Sequence, residues 1–275
     1  MTRHAALAPL LTVALLASCA STPPLPTTNP GDLKAPRPGF VPGYLPSGAW
    51  VNSLNLLPPP PAPNSAMQAA DDAAYRAAIT GKDSARWKLA AADAELRFPK
   101  AADAFACALG MPIRAETSPH LTMLLRRTLA DAGLATYRAK DHYVRSRPFV
   151  AHNGPMCTPA EEAALRKDGS YPSGHAAFGW AWGLILAEVA PDRADALVQR
   201  GYAFGQSRVA CGVHWQSDVT AGREVAAGVV AQLHTHDDFR AQLAEARREV
   251  ATARAAGMKP NVDCVAEAAA LGAAQ

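Results

Sequence analysis

The sequence predicts an all-α protein folded as a single helical bundle, and three observations support this prediction. Hydrophobic residues make up 49% of the chain but aromatic residues only 7%, because much of the apolar content is alanine, the strongest helix former. From residue 66 onward apolar residues recur with helical spacing, and no stretch alternates apolar and polar residues as a half-buried strand does. A chain of 275 residues holds one large domain or two small ones, and because it contains no internal repeat we favour one.

The N-terminal segment has the features of an export signal. Arg3 and His4 precede an apolar run over residues 5–17, which is shorter than the roughly 20 residues that span a membrane and fits the apolar part of a signal peptide. We therefore predict a signal peptide over residues 1–18. The string LASC, ending at Cys19, resembles a bacterial lipobox, in which the cysteine is lipidated after cleavage. The alternative is an ordinary secretory signal.

Both alternatives export the chain, so we predict a periplasmic protein, anchored to the outer membrane if Cys19 carries lipid. Proline-rich residues 19–45 are predicted to form an extended linker. We assign residues 46–258 to the helical domain and residues 259–275 to a C-terminal tail.

The first helices of the domain are rich in alanine and carry their charges on solvated faces. Gly133 is predicted to end one of them as its C-cap. Pro148 is predicted to end the helix that follows. The predicted helices in this part of the chain are 66–80, 84–97, 101–109, 119–132 and 134–145.

Further helices follow a proline-marked loop. Thr158 and Pro159 are typical of the N-cap and first position of a short helix. The strongly apolar helix 174–190 carries Gly179 and Gly183 on one face. Because such glycines destabilise a helix unless its neighbours approach closely, this helix is predicted to be central. The later predicted helices are 193–207, 215–234 and 237–255.

The first segment with candidate functional residues places two cations seven residues apart. Lys140 and Arg147 would lie two turns apart on one face of a helix that Pro148 ends. Two cations on one stripe suit a multiply charged anion. For this segment alone, a solvated basic face is the favoured alternative.

The second segment, Ser173-Gly174-His175, opens the apolar helix. The free N–H groups and the positive dipole end of a helix N-terminus together form an anion site, and Gly174 lets the backbone approach the anion closely. His175 would point toward that anion. The alternative is a capping or core histidine.

The third segment contains Arg208, His214 and Asp218. His214 and Asp218 are four residues apart and meet if this stretch is helical. A carboxylate on one ring nitrogen fixes the tautomer and frees the other nitrogen as a nucleophile, although such a pair is more often structural. Together, the three segments contain the parts of a metal-free phosphoryl-transfer site.

The three segments resemble the signature of the phosphatidic acid phosphatase type 2 (PAP2) superfamily. In order they read K-x6-R-P, P-S-G-H and S-R-x5-H-x3-D, with every signature position filled. Longer strings such as GSYPSGH and GQSRVACGVHWQSD are similar to those of the bacterial class A nonspecific acid phosphatases. The resemblance runs from about Asn52 to about Ala255. Ala176, where many relatives have threonine, is a small departure.

The resemblance implies an all-α fold of the PAP2 and haloperoxidase type and an exported acid phosphatase of broad specificity that needs no metal or cofactor. His214 would form a phosphohistidine, Asp218 would orient it, and His175 would act as general acid and then as general base. Phosphomonoesters are the implied partners, and a homo-oligomer is left open. The residues implied to bind the phosphate group are Lys140, Arg147, Ser173, Gly174 and Arg208.

Three other functions would use a similar anion cage. They are a vanadium-dependent haloperoxidase, a lipid phosphatase near a membrane to which Cys19 tethers the chain, and a phosphate-binding lipoprotein without activity. Haloperoxidases of this type are usually longer than this chain. Binding alone would need neither His214 with Asp218 nor His175.

The four remaining cysteines, in an exported protein, suggest two disulfides with three possible connectivities. If Arg147 and the arginine of the third segment bind the same phosphate, Cys157 and Cys211 come within reach of each other. Cys107 and Cys264 then pair by elimination. No cysteine–histidine cluster has zinc spacing, and a net charge of +3 gives no support for nucleic-acid binding.

Overall fold

The computed structural model describes residues 25–35 and 40–272 of the chain. All regular secondary structure in these ranges is helical, which confirms the all-α prediction. The predicted signal peptide and Cys19 lie outside the described residues. The α-helices are α1 (Ser53–Leu56), α2 (Ala66–Thr80), α3 (Ala85–Ala92), α4 (Lys100–Asp103), α5 (Ala106–Leu109), α6 (Pro119–Ala135), α7 (Tyr137–Tyr143), α8 (Pro148–Ala151), α9 (Glu162–Leu165), α10 (Gly174–Val189), α11 (Ala194–Ala210), α12 (Gln216–Leu233), α13 (Asp237–Ala255) and α14 (Cys264–Leu271). Short 3-10 helices occur at Pro30–Asp32, Pro159–Glu161 and Pro191–Arg193.

Helix α10 lies at the centre of the bundle, packed against α6, α11 and α12. A Cβ added at Gly183 would come within 3.1 Å of the Cα of Gly201 in α11, and one at Gly179 would overlap the ring of Phe204. The two glycines therefore let α10 and α11 pack with their backbones close together, as the sequence predicts.

An aromatic cluster in the core around α10 packs against a residue of the candidate site. The buried rings of Phe105, Phe178, Trp182 and Phe204 lie with centroids 5.6 to 6.5 Å apart. Burial of each such side chain contributes about 1.5–3 kcal/mol. Phe178 and Phe204 also contact the ring of His175, so packing in the core fixes the position of that imidazole.

Several helix boundaries differ from those predicted. Helix α6 continues through Gly133, because its packing against α10 and α13 outweighs the weak helix propensity of glycine. The predicted helix 101–109 is divided into α4 and α5, and the predicted helix 84–97 ends at Ala92. The bounds of α2 and α13 match the prediction. No helix in the described part of the chain is both long enough and apolar enough to cross a membrane.

The prediction that Lys140 and Arg147 share one helix face is wrong. Helix α7 ends at Tyr143, because Val144 adopts a left-handed conformation with φ of 43°. Arg147 is extended, as residues before proline usually are, and Pro148 opens α8 at its first position instead of ending a helix.

Packing at both ends of the bundle involves residues outside 46–258. Tyr44 and Leu45 are buried, and their backbone N–H groups donate to the Asp131 carboxylate at 2.8 and 3.2 Å. At the other end, α14 packs against α3 and is joined to α5 by the disulfide Cys107–Cys264. The segments predicted as linker and tail thus both contribute residues to the packed structure.

Candidate active site

The three candidate segments meet at one cavity of about 310 Å³ beside the N-terminus of α10. Asp218 and Ser173 are not part of the cavity wall. Apolar side chains also line the cavity. The predicted site residues that line the cavity are Lys140, Arg147, Gly174, His175, Arg208 and His214.

His214 and Asp218 form a buried pair at the start of α12. His214 Nδ1 lies 3.3 Å from Asp218 Oδ2. They meet although His214 precedes the helix, because Asp218 reaches back from the first turn to accept the N–H of Trp215 at 2.9 Å. His214 Nε2 faces Arg147 Nη1 at 3.0 Å. Burial, then Arg147 and Lys140, lowers the pKa of His214 well below its usual value, which favours a neutral ring with its Nδ1–H on Asp218.

His175 lies in the first turn of α10 and is partly buried. Its Nε2–H donates to the carbonyl oxygen of Ala94 at 3.2 Å, and its ring is within 14° of parallel to that of Phe204. Burial, followed by the charge of Arg208, lowers the pKa of His175 well below its usual value. The imidazole is therefore neutral in this arrangement, with Nδ1 left for proton exchange.

Arg208 is oriented to receive an anion. Its side chain is 1% exposed, and its Nε and Nη1 have no hydrogen-bond partner among the described residues. Burial lowers the pKa of Arg208 to about 10, so the guanidinium stays charged at neutral and acid pH. Because buried donors without acceptors are unfavourable, an oxyanion in the cavity would stabilise this side chain.

Asp168 holds Lys140 and Arg147 at the edge of the cavity. Its Oδ2 lies 2.8 Å from Arg147 Nη2 and 3.5 Å from Lys140 Nζ. Lys140 Nζ also donates to the carbonyl oxygen of Gly169 at 2.6 Å, and burial lowers the pKa of Lys140 to about 8. The two cations thus converge through a shared carboxylate rather than a shared helix face.

Ser173 and Gly174 form the helix start as the sequence predicts. The Ser173 hydroxyl accepts the N–H of Ala176 at 3.3 Å and caps α10. The N–H of Ser173 donates to the carbonyl oxygen of Asp218 at 2.9 Å. This bond joins the N-terminus of α10 to the first turn of α12, which carries Asp218.

Both predicted disulfides are confirmed. The Cα atoms are 4.7 Å apart in Cys157–Cys211 and 5.5 Å apart in Cys107–Cys264. Cys211 directly follows α11, and its carbonyl oxygen accepts the N–H of Cys157 at 3.0 Å. The Cys157–Cys211 bond therefore ties the loop after α8 to the end of α11 that carries Arg208.

Sequence reasoning missed a polar layer around the site. Asp168 is one member of this layer. The only sign of it in the sequence is that it is an acidic residue among the cations of the three segments. Arg145, Asp71, Gln68 and Ser217 form a second group behind Asp218. The hydrogen bonds that Arg145 makes in this region join residues 72 to 77 positions apart, so no local pattern points to them. Among the described residues, no group of three or more His, Cys, Asp or Glu is arranged to hold a metal ion.

Comparison with known proteins identifies the family. The PAP2 superfamily profile matches residues 121–241, which include all three candidate segments. The chain is 42% identical over 243 residues to a non-specific acid phosphatase of Providencia stuartii, covering 88% of this chain and 97% of that protein. It is 43% identical over 208 residues to an acid phosphatase of Zymomonas mobilis, covering 76% and 79%. It is 45% identical over 201 residues to a non-specific acid phosphatase of Salmonella typhimurium, covering 73% and 80%.

These matches confirm the resemblance, the PAP2 type of the helical fold and the predicted enzyme class. None of the three relatives is named a haloperoxidase or a lipid phosphatase. The chain therefore belongs to the PAP2 superfamily and, within it, to the bacterial non-specific acid phosphatases, which are phosphomonoesterases.

Proposed function

We propose that this acid phosphatase hydrolyses a broad range of phosphate monoesters through a phosphohistidine on His214, without a metal ion, in the periplasm. The observation that carries the proposal is the buried His214–Asp218 pair at a cavity with unpartnered guanidinium donors. Nδ1 lies against Asp218, and Nε2 lies 3.0 Å from Nη1 of Arg147, a cation of the cavity wall. Arg208 supplies the donors. A nucleophile beside an oxyanion site is the arrangement that covalent phosphoryl transfer requires.

The reaction proceeds in two displacements. His214 Nε2 attacks phosphorus, the bond to the ester oxygen breaks, and that oxygen takes up the proton that the monoanionic substrate brings, transferred through Nδ1 of His175. Water then attacks the phosphohistidine, His175 accepts a proton from the water, and the P–N bond breaks to release phosphate. Lys140, Arg147 and Arg208 neutralise the charge of the non-bridging oxygens in both steps, with the N–H groups of α10 donating to the same oxygens.

The apolar wall of the cavity supports broad specificity. Leu96, Leu129, Leu165 and Phe178 line the space next to the cations. Such surfaces contact a leaving group without demanding a particular hydrogen-bonding pattern, so they discriminate weakly between substrates. The phosphate group then supplies most of the binding energy.

The depressed histidine pKa values are consistent with activity at acid pH. The second pKa of a phosphate monoester is about 6, so below that pH the substrate brings the proton that neutral His175 lacks. His214 remains unprotonated below its usual pKa, because burial and Arg147 disfavour the imidazolium. Activity is therefore expected to rise as pH falls through about 6 and to decline where His214 becomes protonated.

Hydrolysis of a chromogenic phosphomonoester between about pH 4 and 8 tests the proposed function. We expect turnover that is unaffected by EDTA and competitively inhibited by orthovanadate, which mimics the trigonal-bipyramidal transition state. An Arg208→Gln variant, with its cage weakened, should bind vanadate less tightly. Loss of activity on chelation, restored by a divalent ion, would show that the enzyme requires a metal.

Export is part of the proposal, and the two disulfides support it because such bonds persist in oxidising compartments. We expect Cys19 to be the mature N-terminus and to carry lipid. Mass spectrometry of the protein from the membrane fraction should detect the lipidated cysteine, and Cys19→Ala should abolish the modification. An unmodified N-terminus downstream of Cys19 would refute the lipid anchor.

A further inference from the structure

The carboxylate of Asp218 is fully buried and uses both of its oxygens. Oδ2 faces His214 Nδ1 and accepts the N–H of Trp215. Oδ1 accepts a hydrogen bond from Arg145 Nη1 at 2.6 Å. Burial raises the pKa of Asp218, and Arg145 is the main group that opposes this increase. The charge that makes Asp218 a good partner for a histidine therefore depends on Arg145.

Arg145 is itself held from the far side by α2. Its Nη2 donates to Asp71 Oδ2 at 2.8 Å and to Gln68 Oε1 at 2.7 Å. Asp71 is 3% exposed, and its Oδ1 accepts the N–H of Ser217 at 2.9 Å in the first turn of α12. The same carboxylate thus fixes both the guanidinium and the start of the helix that carries Asp218.

Arg145 is not placed to bind phosphate. It is absent from the wall of the 310 Å³ cavity and lines a separate cavity of about 660 Å³ with Gln68 and Trp215. Both terminal nitrogens are already donating to protein oxygens, in contrast to Nη1 of Arg208. Its position in the chain, between the two cations of the first signature segment, does not reflect a shared role with them.

We propose that Arg145 and Asp71 are positioning residues for the nucleophile, forming a buried chain Asp71–Arg145–Asp218–His214. Arg145 keeps Asp218 ionised, so that the carboxylate accepts the Nδ1–H of His214 and leaves Nε2 with its lone pair. Asp71 fixes the geometry of Arg145. The inference rests on the proposed role of His214, and it extends the site to α2, which lies outside the residues that the family profile matches.

The expected result for Arg145→Gln is a kcat about ten- to hundredfold lower, the loss typical of a hydrogen bond between charged groups, with KM nearly unchanged. The acid limb of the kcat profile should also move to higher pH. Without the guanidinium, Asp218 takes up a proton at a higher pH, and its neutral form no longer fixes the tautomer of His214. In the described part of the chain, the other titratable groups that interact with Asp218 include His214, Lys140, Arg147 and Tyr171, and the substitution leaves all four in place.

Two further variants separate the effect of the charge of Arg145 from the effect of its geometry. Asp71→Asn keeps Arg145 as the counter-charge, so it should lower kcat by a smaller factor and leave the acid limb where it is. Arg145→Lys should restore the acid limb but only part of kcat, because an ammonium does not reproduce the two-sided fork of a guanidinium. Arg248→Gln, on the exposed face of α13, is the matched control and should behave as wild type.

Coupling completes the test. Adding Arg145→Gln to Asp218→Asn should cause no further loss, since the two residues act through one bond. Additive losses, or a raised KM with unchanged kcat, would overturn the positioning role. If Arg145→Gln fails to fold, a wild-type kcat in Asp71→Asn would overturn it instead. A wild-type result for Arg145→Gln beside an inactive His214→Ala would reject this inference alone, whereas an active His214→Ala would reject the proposed function.

Discussion

Replacing His214 by alanine will abolish phosphomonoester hydrolysis and leave the fold intact. The imidazole is the nucleophile of the proposed mechanism, and without it the cations bind phosphate but no atom attacks it. We expect turnover to fall by on the order of 10⁴-fold or more, as in other enzymes that lose a nucleophile. Asp218 should stay satisfied by Arg145 and the N–H of Trp215, so thermal unfolding should change little.

The measurement is a rapid quench with labelled substrate, which detects the intermediate directly. Wild-type enzyme should form a phosphoenzyme that is labile in acid and stable in base, as expected for a phosphorus–nitrogen bond, and His214→Ala should form none. His142→Ala, which removes an exposed imidazole on α7, is the matched control and should retain the burst. A phosphoenzyme that persists in His214→Ala would show that another residue is the nucleophile.

The second large effect is expected for His175→Asn. The asparagine amide can still donate to the carbonyl oxygen of Ala94 but has no proton to transfer. General acid–base catalysis contributes about 10²–10⁴-fold, and its loss depends on the leaving group. The rate for an alkyl phosphate should fall by the full factor, whereas an activated aryl phosphate, whose oxygen leaves without protonation, should lose much less in the first step.

The two steps respond differently to this substitution, and the difference is measurable. With an activated aryl substrate, phosphoenzyme should form and then accumulate, because His175 no longer accepts a proton from the attacking water. Burst kinetics with that substrate give the rates of phosphoenzyme formation and hydrolysis. Steady-state rates for an alkyl phosphate give the loss for a poor leaving group. Equal losses for both leaving groups would assign His175 to phosphate binding rather than proton transfer.

The signature segments and the helical spacing predicted much of this protein. Helices α2 and α13 have the bounds that the periodicity indicates, and Gly179 and Gly183 mark a close helix contact. The disulfide Cys157–Cys211 follows from the expectation that two arginines bound to one phosphate bring their two segments together. Each of these features depends on residues that are close in sequence or on a ligand that two segments share. The sequence alone is therefore enough to indicate it.

The errors occur where local rules meet tertiary packing. Gly133 is a plausible C-cap by propensity, yet the buried surface of α6 carries the helix past it. The seven-residue spacing of Lys140 and Arg147 fits one helix face, but the left-handed turn at Val144 separates them, and Asp168 draws them together again. The spacing correctly indicated that the two cations lie close together, but for the wrong structural reason.

The sequence by itself determined which groups are candidates for the chemistry of this protein: two histidines, a carboxylate four residues from one of them, and three cations in the order of the family signature, on an alanine-rich helical chain. The tertiary structure decided which of these groups are free and which are held. Arg208 is left with open donors, His175 donates to a carbonyl 81 positions away, and Asp218 is linked through Arg145 to Asp71. The physical reason is that a hydrogen bond or a desolvated charge depends on distance and burial, and residues distant in sequence acquire both only when the helices pack.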